Sequence, residues 1–351
     1  RFFCILSCSV VRGKWFTRRG KAMLLDFFLA IIGLLLLYYG AEWLVKGSSS
    51  FARSLGLSPL VIGLTVVAFG TSAPELLVSV VSSIEGKSMI AVGNVVGSNI
   101  CNITLVLGLA AFFHPITCHR SIIKRDIPIM LCVSLYLVII SLGSKIGRLE
   151  GATLFSGIIL YILYKYYNAV KESKQLSIEG NVNCDSVSEE IGHVTSMPKQ
   201  VVLISLGIAG VIAGAEVLVG SAVRIMYLFG VGEKFIGLTM VAFGTSIPEL
   251  ATSVVAALKK EMEISLGNLV GSNIFNILSV LGAASLIRPI QIQGGFIESG
   301  LVIDYLVMIF TSCLLWLMMK KGLSVTRKHG LVLLCCYVGY ISYLVLKAHS
   351  A

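Results

Sequence analysis

The sequence predicts an all-α polytopic membrane protein with ten transmembrane helices, arranged as two inverted five-helix repeats with broken helices at the centre. Three observations lead to this fold class. Of the 351 residues, 56% are hydrophobic and only 13% are charged, whereas a soluble domain has about 25% charged residues. Apolar stretches long enough to cross a bilayer recur along the chain. Finally, two long polar-studded motifs each occur twice at a constant separation.

About 20 apolar residues are needed to cross the hydrocarbon core of a bilayer, and this length locates the spans. Ten spans are expected near residues 24–45, 57–84, 89–112, 122–143, 149–170, 200–228, 232–258, 264–287, 299–319 and 328–347. Residues 1–22 are basic and precede Met23, so we expect an over-extended N-terminus there. The first repeat then covers residues 23–170, and the second covers 200–351. Between them, residues 171–199 are too polar to build a core and predict a cytoplasmic linker.

The repeated motifs lie at residues 63–108 and 237–282. Each contains a Gly-Thr-Ser-x-Pro-Glu segment followed by a Gly-Asn-x-Val-Gly-Ser-Asn-Ile-x-Asn segment. Glu249 follows Glu75 by 174 residues, and the same offset relates every other position of the motifs. Because each predicted half has an odd number of spans, the second half must enter the membrane from the opposite side. This inverted repeat is typical of many secondary transporters.

The first segment of each motif predicts a broken helix. Pro74 has no N–H, so the carbonyl of Gly70 loses its helical donor and the second span should break there. Lipid cannot satisfy freed carbonyls, which must therefore face protein or a polar cavity. Thr71 and Glu75 share one helical face. Carbonyl, hydroxyl and carboxylate oxygens are hard donors that suit Na⁺ or Ca²⁺.

The second segment of each motif adds glycines and amides. Glycines four residues apart, Gly93 and Gly97 in the first motif and Gly267 and Gly271 in the second, let another helix approach closely. We expect Asn102 and Asn276 to meet the two motif glutamates on the pseudo-two-fold axis. Two carboxylates there would repel each other, and a divalent cation between them relieves that repulsion. An acidic residue inside an apolar span is a functional residue by default.

Both motifs resemble the alpha repeats of the cation/Ca²⁺ exchanger superfamily, and the chain from Met23 resembles its bacterial and archaeal sodium/calcium exchangers. The resemblance implies an inner-membrane antiporter that exchanges Na⁺ for Ca²⁺ by alternating access at a mid-membrane site, without a cofactor. The ligands it implies are Glu75, Glu249, Asn102, Asn276, Thr71, Ser72, Thr245, Ser246, Ser98 and Ser272, with the backbone carbonyls of Ala68 and Ala242. Many relatives carry Asp at the position of Asn276. The site here is thus limited to two negative charges, which balance one Ca²⁺ and disfavour K⁺ dependence.

The same residues could also serve two other transport functions. A proton-coupled exchanger of the same superfamily would share these residues, and a passive cation channel would use similar acidic rings. An enzyme is not expected, because the sequence has no phosphate-binding loop, no His-Glu-x-x-His helix and no histidine close to the motif glutamates. Outside the motifs, Glu42 stands four residues before Lys46 and predicts an interfacial ion pair, whereas Asp126 and Asp304 are expected to be solvated at span ends.

The loop charges predict an orientation in the plasma (inner) membrane. If Met23 begins outside, most Lys and Arg residues fall in cytoplasmic loops, which is the usual bias. Both termini are then outside and the linker is cytoplasmic. The expected partners are Ca²⁺ and Na⁺ as substrates and the lipid bilayer; nucleic acid is disfavoured because the basic residues are scattered between apolar spans. The sequence specifies no oligomeric state and is compatible with a monomer.

Overall fold

The computed structural model describes residues 2–178, 194, 196–229 and 243–350, and these residues are almost entirely helical. The helices are α1 (Phe2–Ser54), α2 (Pro59–Thr71), α3 (Ala73–Ile84), α4 (Ser88–Phe113), α5 (122–141), α6 (Arg148–Ile178), α7 (Met197–Leu228), α8 (Ile247–Leu258), α9 (Met262–Ile287), α10 (Gly295–Glu298), α11 (Leu301–Gly322) and α12 (Arg327–Ser350). Four two-residue strands lie in the loops: β1 (Ile116–Thr117), β2 (Lys145–Ile146), β3 (Ile290–Gln291) and β4 (Ser324–Val325).

The described helices support a polytopic membrane fold. Six of them, α1 from Met23 onwards, α4, α7, α9, α11 and α12, are long and apolar enough to cross a bilayer, and the bent pair α2–α3 would be a seventh. Helices α5 and α6 occupy the expected fourth and fifth spans without meeting the same criterion. The expected seventh span begins outside the described residues, and α8 forms its second part. The number ten therefore stays a prediction, as do the domain boundaries.

The predicted break in the second span is confirmed. Helices α2 and α3 meet at an angle of 45°, and Ser72 between them has φ −82° and ψ 7° instead of helical values. Pro74 lies in the first turn of α3, as Pro248 does in α8. Ser246, which precedes α8, has nearly the same conformation as Ser72. The breaks place Glu75 and Glu249 in the first turns of α3 and α8.

Burial separates the central helices from the peripheral ones. The most apolar stretches of α4 and α9 are 78% and 83% buried, whereas those of α1 and α12 are only 22% and 11% buried. The exposed side chains of α1 and α7 include Phe28, Leu34 and Leu206, which suits contact with lipid chains. The residues that line the centre thus come mainly from α4, α9 and the broken helices.

Helix α9 approaches the backbone of α2 closely, as the spacing of Gly267 and Gly271 predicts, whereas a Cβ on Gly93 of α4 would meet no heavy atom of the described residues within 4 Å. A Cβ atom on Gly271 would lie 2.7 Å from the carbonyl oxygen of Leu64, and one on Gly267 would lie 2.9 Å from that of Leu60. Real Cβ atoms do not occupy such positions, so only glycine allows this contact. The peripheral helices α1 and α7 also pack through glycine, because a Cβ on Gly40 would lie 2.7 Å from the backbone nitrogen of Val211.

The short strands join the first part of the chain to the second. Strand β1 pairs antiparallel with β4, and β2 pairs antiparallel with β3. The backbone N–H of Cys118 extends the first pair by donating to the carbonyl of Leu323 at 2.7 Å. These pairs hold the start of α5 next to the end of α11, and the end of α5 next to the loop before α11.

Two expectations about isolated acidic residues are wrong. Glu42 pairs with Lys259 at 2.6 Å and not with Lys46, because α1 packs against α8 along that face. Asp126 is buried and ion-paired with Lys165 of α6, so it is not solvated. A buried charge is costly unless it is paired, which explains why the two occur together.

Candidate cation-binding site

The site lies where the two helix breaks face α4 and α9. Glu75, Glu249, Asn102 and Asn276 are all fully buried. Each asparagine begins a π-helical turn, Asn102–Val106 in α4 and Asn276–Leu281 in α9. Single π-helical turns occur frequently at functional sites.

Several oxygen atoms of this cluster are buried without a hydrogen-bond partner among the described residues. They are both carboxylate oxygens of Glu75, Oε2 of Glu249, Oδ1 of Asn102 and Asn276, and Oγ of Ser246. Buried polar atoms are nearly always hydrogen-bonded, and leaving one unpaired costs about 1–3 kcal/mol. Each of these oxygen atoms could accept a hydrogen bond or bind a cation. The donor set fits Ca²⁺ or Na⁺, which prefer oxygen ligands.

Hydroxyl groups connect the first motif to the second. Ser72 donates to Oε1 of Glu249 at 3.2 Å, so the break between α2 and α3 contacts the acidic residue of α8. Thr71 donates to Oδ1 of Asn268 at 3.0 Å and lies 3.4 Å from the hydroxyl of Ser272. The structure therefore brings residues of both motifs together, as the sequence predicts.

The threonine of the other half repeats the contacts of Thr71, whereas Ser246 does not repeat the bond of Ser72 to a glutamate. Thr245 donates to Oδ1 of Asn94 at 3.2 Å, and its hydroxyl lies 3.3 Å from that of Ser98. The carbonyl of Ala68, another predicted ligand, accepts the backbone N–H of Ser72 at 3.0 Å. Its counterpart Ala242 lies outside the described residues.

Asparagines that the sequence reasoning missed orient the two site amides. Asn102 donates through Nδ2 to Oδ1 of Asn273 at 3.2 Å, and Asn276 donates to Oδ1 of Asn99 at 3.1 Å. Asn99 and Asn273 in turn donate to each other's backbone carbonyls. Because their amide nitrogens are held in this way, the Oδ1 atoms of Asn102 and Asn276 remain available to a cation. The sequence could have indicated Asn99 and Asn273, because the duplicated Ser-Asn-Ile-x-Asn segment repeats both of its asparagines.

A substitution of Asn99 tests this orienting role. Asn99→Leu removes the acceptor of the Asn276 amide, so we expect the Ca²⁺ concentration for half-maximal binding to rise roughly tenfold, the effect of one unsatisfied buried group. Titration of the purified protein with Ca²⁺ measures it. Asn168→Leu is a matched control, because Asn168 lies outside both motifs and donates to the carbonyl of Tyr164 within α6. Equal Ca²⁺ dependence of wild type and Asn99→Leu would contradict the assignment.

Similarity to known proteins agrees with this geometry. The model of a family described as sodium/calcium exchanger protein matches residues 25–169 and 199–346. The putative antiporter CaxA of Alkalimonas amylolytica is 37% identical over 323 residues, which cover 91% of this chain and 98% of CaxA. The inner membrane protein YrbG of Escherichia coli (strain K12) is 38% identical over 300 residues, 84% of this chain and 90% of YrbG.

A solved structure is also similar over nearly its whole length. The structure of the sodium-calcium exchanger NCX_Mj, soaked with 2.5 mM Na⁺ and 0.1 mM Ca²⁺, aligns with a TM-score of 0.75 at 33% identity. The alignment covers 91% of this chain and 98% of that one. The similarity therefore includes both motifs and the helices around them.

Proposed function

This chain belongs to the sodium/calcium exchanger family, and we propose that it is a secondary antiporter in which Na⁺ moving down its gradient drives Ca²⁺ across the membrane. The observation that carries the proposal is the set of buried oxygen atoms without hydrogen-bond partners on Glu75, Glu249, Asn102 and Asn276. Neither Na⁺ nor Ca²⁺ needs a cofactor to bind there. The family is described as sodium/calcium exchanger protein and the relative CaxA as a putative antiporter, so we propose a transporter and not an enzyme.

In this proposal the two cations compete for the same carboxylates. Glu75 and Glu249 bind Ca²⁺, because their two negative charges balance its two positive charges. The carbonyl oxygens of Asn102 and Asn276 supply further ligands to an ion that takes six to eight oxygens. The hydroxyls of Thr71, Ser72, Ser98, Thr245, Ser246 and Ser272, with the carbonyls of Ala68 and Ala242, serve Na⁺ when Ca²⁺ is absent. Competition for one pair of charges couples the two fluxes.

Alternating access follows from an inverted arrangement of two five-span halves. The paired contacts support it: Thr71 with Asn268 corresponds to Thr245 with Asn94, and both members shift by 174 residues. A site on the pseudo-two-fold axis can open to either face when the halves exchange conformations. The short strands β1 to β4, which pair across the halves, would keep the central helices together during this change.

The proposed location is the inner membrane, with both termini outside and the linker in the cytoplasm. The loop charges support this orientation. The relative YrbG is named an inner membrane protein, which supports the proposed location. The orientation can be tested with a thiol-reactive, membrane-impermeant label on single cysteines placed at Lys87 and Lys171, both exposed. Labelling of intact cells at position 87 and not at 171 is expected, and the reverse would overturn the orientation.

Imposed gradients test the coupling. Purified protein in vesicles is expected to accumulate ⁴⁵Ca²⁺ when an outward Na⁺ gradient is present, and not with K⁺ or H⁺ gradients alone. Uptake driven by a pH gradient without Na⁺ would favour the proton-coupled alternative. Equilibration of Ca²⁺ without counter-movement of Na⁺ would indicate a channel. Vesicles that contain Glu75→Gln protein serve as the control for leakage.

A further inference from the structure

A second polar site lies away from the central one, between the start of α5 and the end of α11. A cavity of about 820 Å³ opens there, within the size range of small-molecule sites. It is lined by three basic side chains and one tryptophan, with apolar residues beneath them: Arg120, Lys124, Lys320, Trp316, Ile123 and Leu323. We call this cavity the α5–α11 pocket. It contains no residue of the two motifs.

The walls of the pocket are fixed by hydrogen bonds between its two sides. The indole N–H of Trp316 donates to the carbonyl of Ile123 at 3.1 Å. The backbone N–H of Cys118 donates to the carbonyl of Leu323 at 2.7 Å, and the β1–β4 pair lies directly behind. The pocket is therefore held open by the fold, which a built binding site requires.

The charge of the pocket is uncompensated within the described part of the chain. Arg120, Lys124 and Lys320 are exposed, and none of them forms an ion pair with a described carboxylate. The ammonium group of Lys320 lies 5.2 Å from the centroid of the Trp316 ring, a contact that stacks the cation at the pocket wall. A cavity lined by three cations without a described carboxylate partner and by apolar residues suits an anionic ligand with an apolar part.

The helices themselves are less basic at the opposite end. Residues 137–144 and 296–310 contain neither Lys nor Arg, and the basic residues there, Lys145 and Arg148, follow α5 in β2 and at the start of α6. The α5–α11 pocket therefore has a basic residue within each of the two helices, Lys124 and Lys320, which the opposite end does not. Under the orientation proposed above, the pocket lies at the cytoplasmic face, where anionic lipids attract basic residues. Trp316 also has the position at the end of a span that tryptophan prefers at membrane–water interfaces.

We propose that the α5–α11 pocket binds the phosphate headgroup of an anionic phospholipid, with the glycerol and upper chains against Ile123 and Leu323. Arginine and lysine donate to phosphate oxygens, and basic pockets between transmembrane helices bind such headgroups. The site is separate from the proposed ion exchange and can be occupied whether or not that exchange takes place.

Native mass spectrometry of the purified full chain, with equal amounts of phosphatidylglycerol and phosphatidylcholine, tests the proposal. We expect one phosphatidylglycerol to be retained in preference to phosphatidylcholine. The double variant Arg120→Gln/Lys320→Gln should weaken this binding roughly 30-fold, the effect of two basic contacts. Lys320→Arg should keep it, because the charge remains. The matched double variant Lys171→Gln/Lys199→Gln, at exposed residues on the same expected face, should bind as wild type does.

Two results would overturn the proposal. The first is an unchanged preference for phosphatidylglycerol in Arg120→Gln/Lys320→Gln. The second is displacement of the lipid by inorganic phosphate at constant ionic strength, which would identify a free phosphate as the ligand. The lipid-binding measurement does not depend on transport. Its result can therefore be interpreted even if the protein shows no Na⁺-driven Ca²⁺ uptake.

Discussion

Glu75→Gln or Glu249→Gln is expected to lower Na⁺-driven Ca²⁺ uptake by roughly a hundredfold or more. Each substitution keeps the shape of the side chain and removes one of the two charges that balance Ca²⁺. Removing one partner of a buried charge interaction costs about 3–5 kcal/mol, equivalent to roughly two to four orders of magnitude in affinity. Both residues are fully buried, so solvent cannot compensate. Initial rates of ⁴⁵Ca²⁺ uptake by vesicles measure the effect.

Glu85→Gln is the matched control. Glu85 follows the end of α3, the helix that begins beside Glu75, and its carboxylate is half-exposed and paired with Lys87 at 2.7 Å. Surface ion pairs contribute little, so this variant should transport as the wild type does. If Glu75→Gln or Glu249→Gln took up Ca²⁺ at the wild-type rate, the proposed site would not be the one that binds the transported ion.

Gly271→Ala is expected to destabilise the protein and to reduce transport with it. The new methyl group would lie 2.7 Å from the carbonyl oxygen of Leu64 and 2.8 Å from Cβ of Ala68. Helix α2 must move away, which lowers the free energy of unfolding by about 1–3 kcal/mol. Because α2 leads directly into Thr71 and the helix break, the displacement also disturbs the site. Thermal unfolding in detergent and uptake in vesicles measure the two effects.

Gly339→Ala controls for the change of residue type. Gly339 lies within α12, and a Cβ there would meet no heavy atom of the described residues within 4 Å. Alanine favours a helix more than glycine does, so this variant should be at least as stable as the wild type. Equal stability of Gly271→Ala and Gly339→Ala would show that α2 and α9 can separate without cost.

The sequence predicted those features that depend on local chemistry or on repetition. Pro74 predicted the helix break because its ring removes a donor within its own helix. The repetition of Glu75 as Glu249 predicted that both acidic residues belong to one buried cluster. The spacing of Gly267 and Gly271 predicted a close helix contact, and the structure identifies α2 as the partner.

Contacts between residues that are far apart in the sequence could not be predicted from local chemistry or from the repeat. Glu42 has a lysine at the helical spacing, yet it pairs with Lys259, 217 residues away. Asn99 looked equivalent to any polar residue of its motif until the structure showed that it holds the amide of Asn276. In both cases the sequence gives the donor and acceptor groups, whereas the packing of α1 on α8 or of α4 on α9 decides which of them meet.

The bonds between α1 and the α8–α9 connection differ between the two halves. Glu42 binds Lys259, while the hydroxyl of Ser49 and the guanidinium of Arg53 bind Glu261 at 2.6 and 2.9 Å. The positions 174 residues away cannot repeat these bonds. Glu42 and Lys259 correspond to Glu216 and Glu85, which are both acidic. Arg53 and Glu261 correspond to Tyr227 and Lys87, which cannot form an ion pair.

If the change from one face to the other separates α1 from the α8–α9 connection, it breaks these ion pairs, and the corresponding positions of the other half form no equivalents. The two facing states of such an exchanger then differ in free energy, and one face is preferred at rest. Most molecules would wait at the same face between cycles. Calcium would then bind with a different apparent strength from each side of the membrane, because the less populated state lowers the apparent affinity by its own fraction.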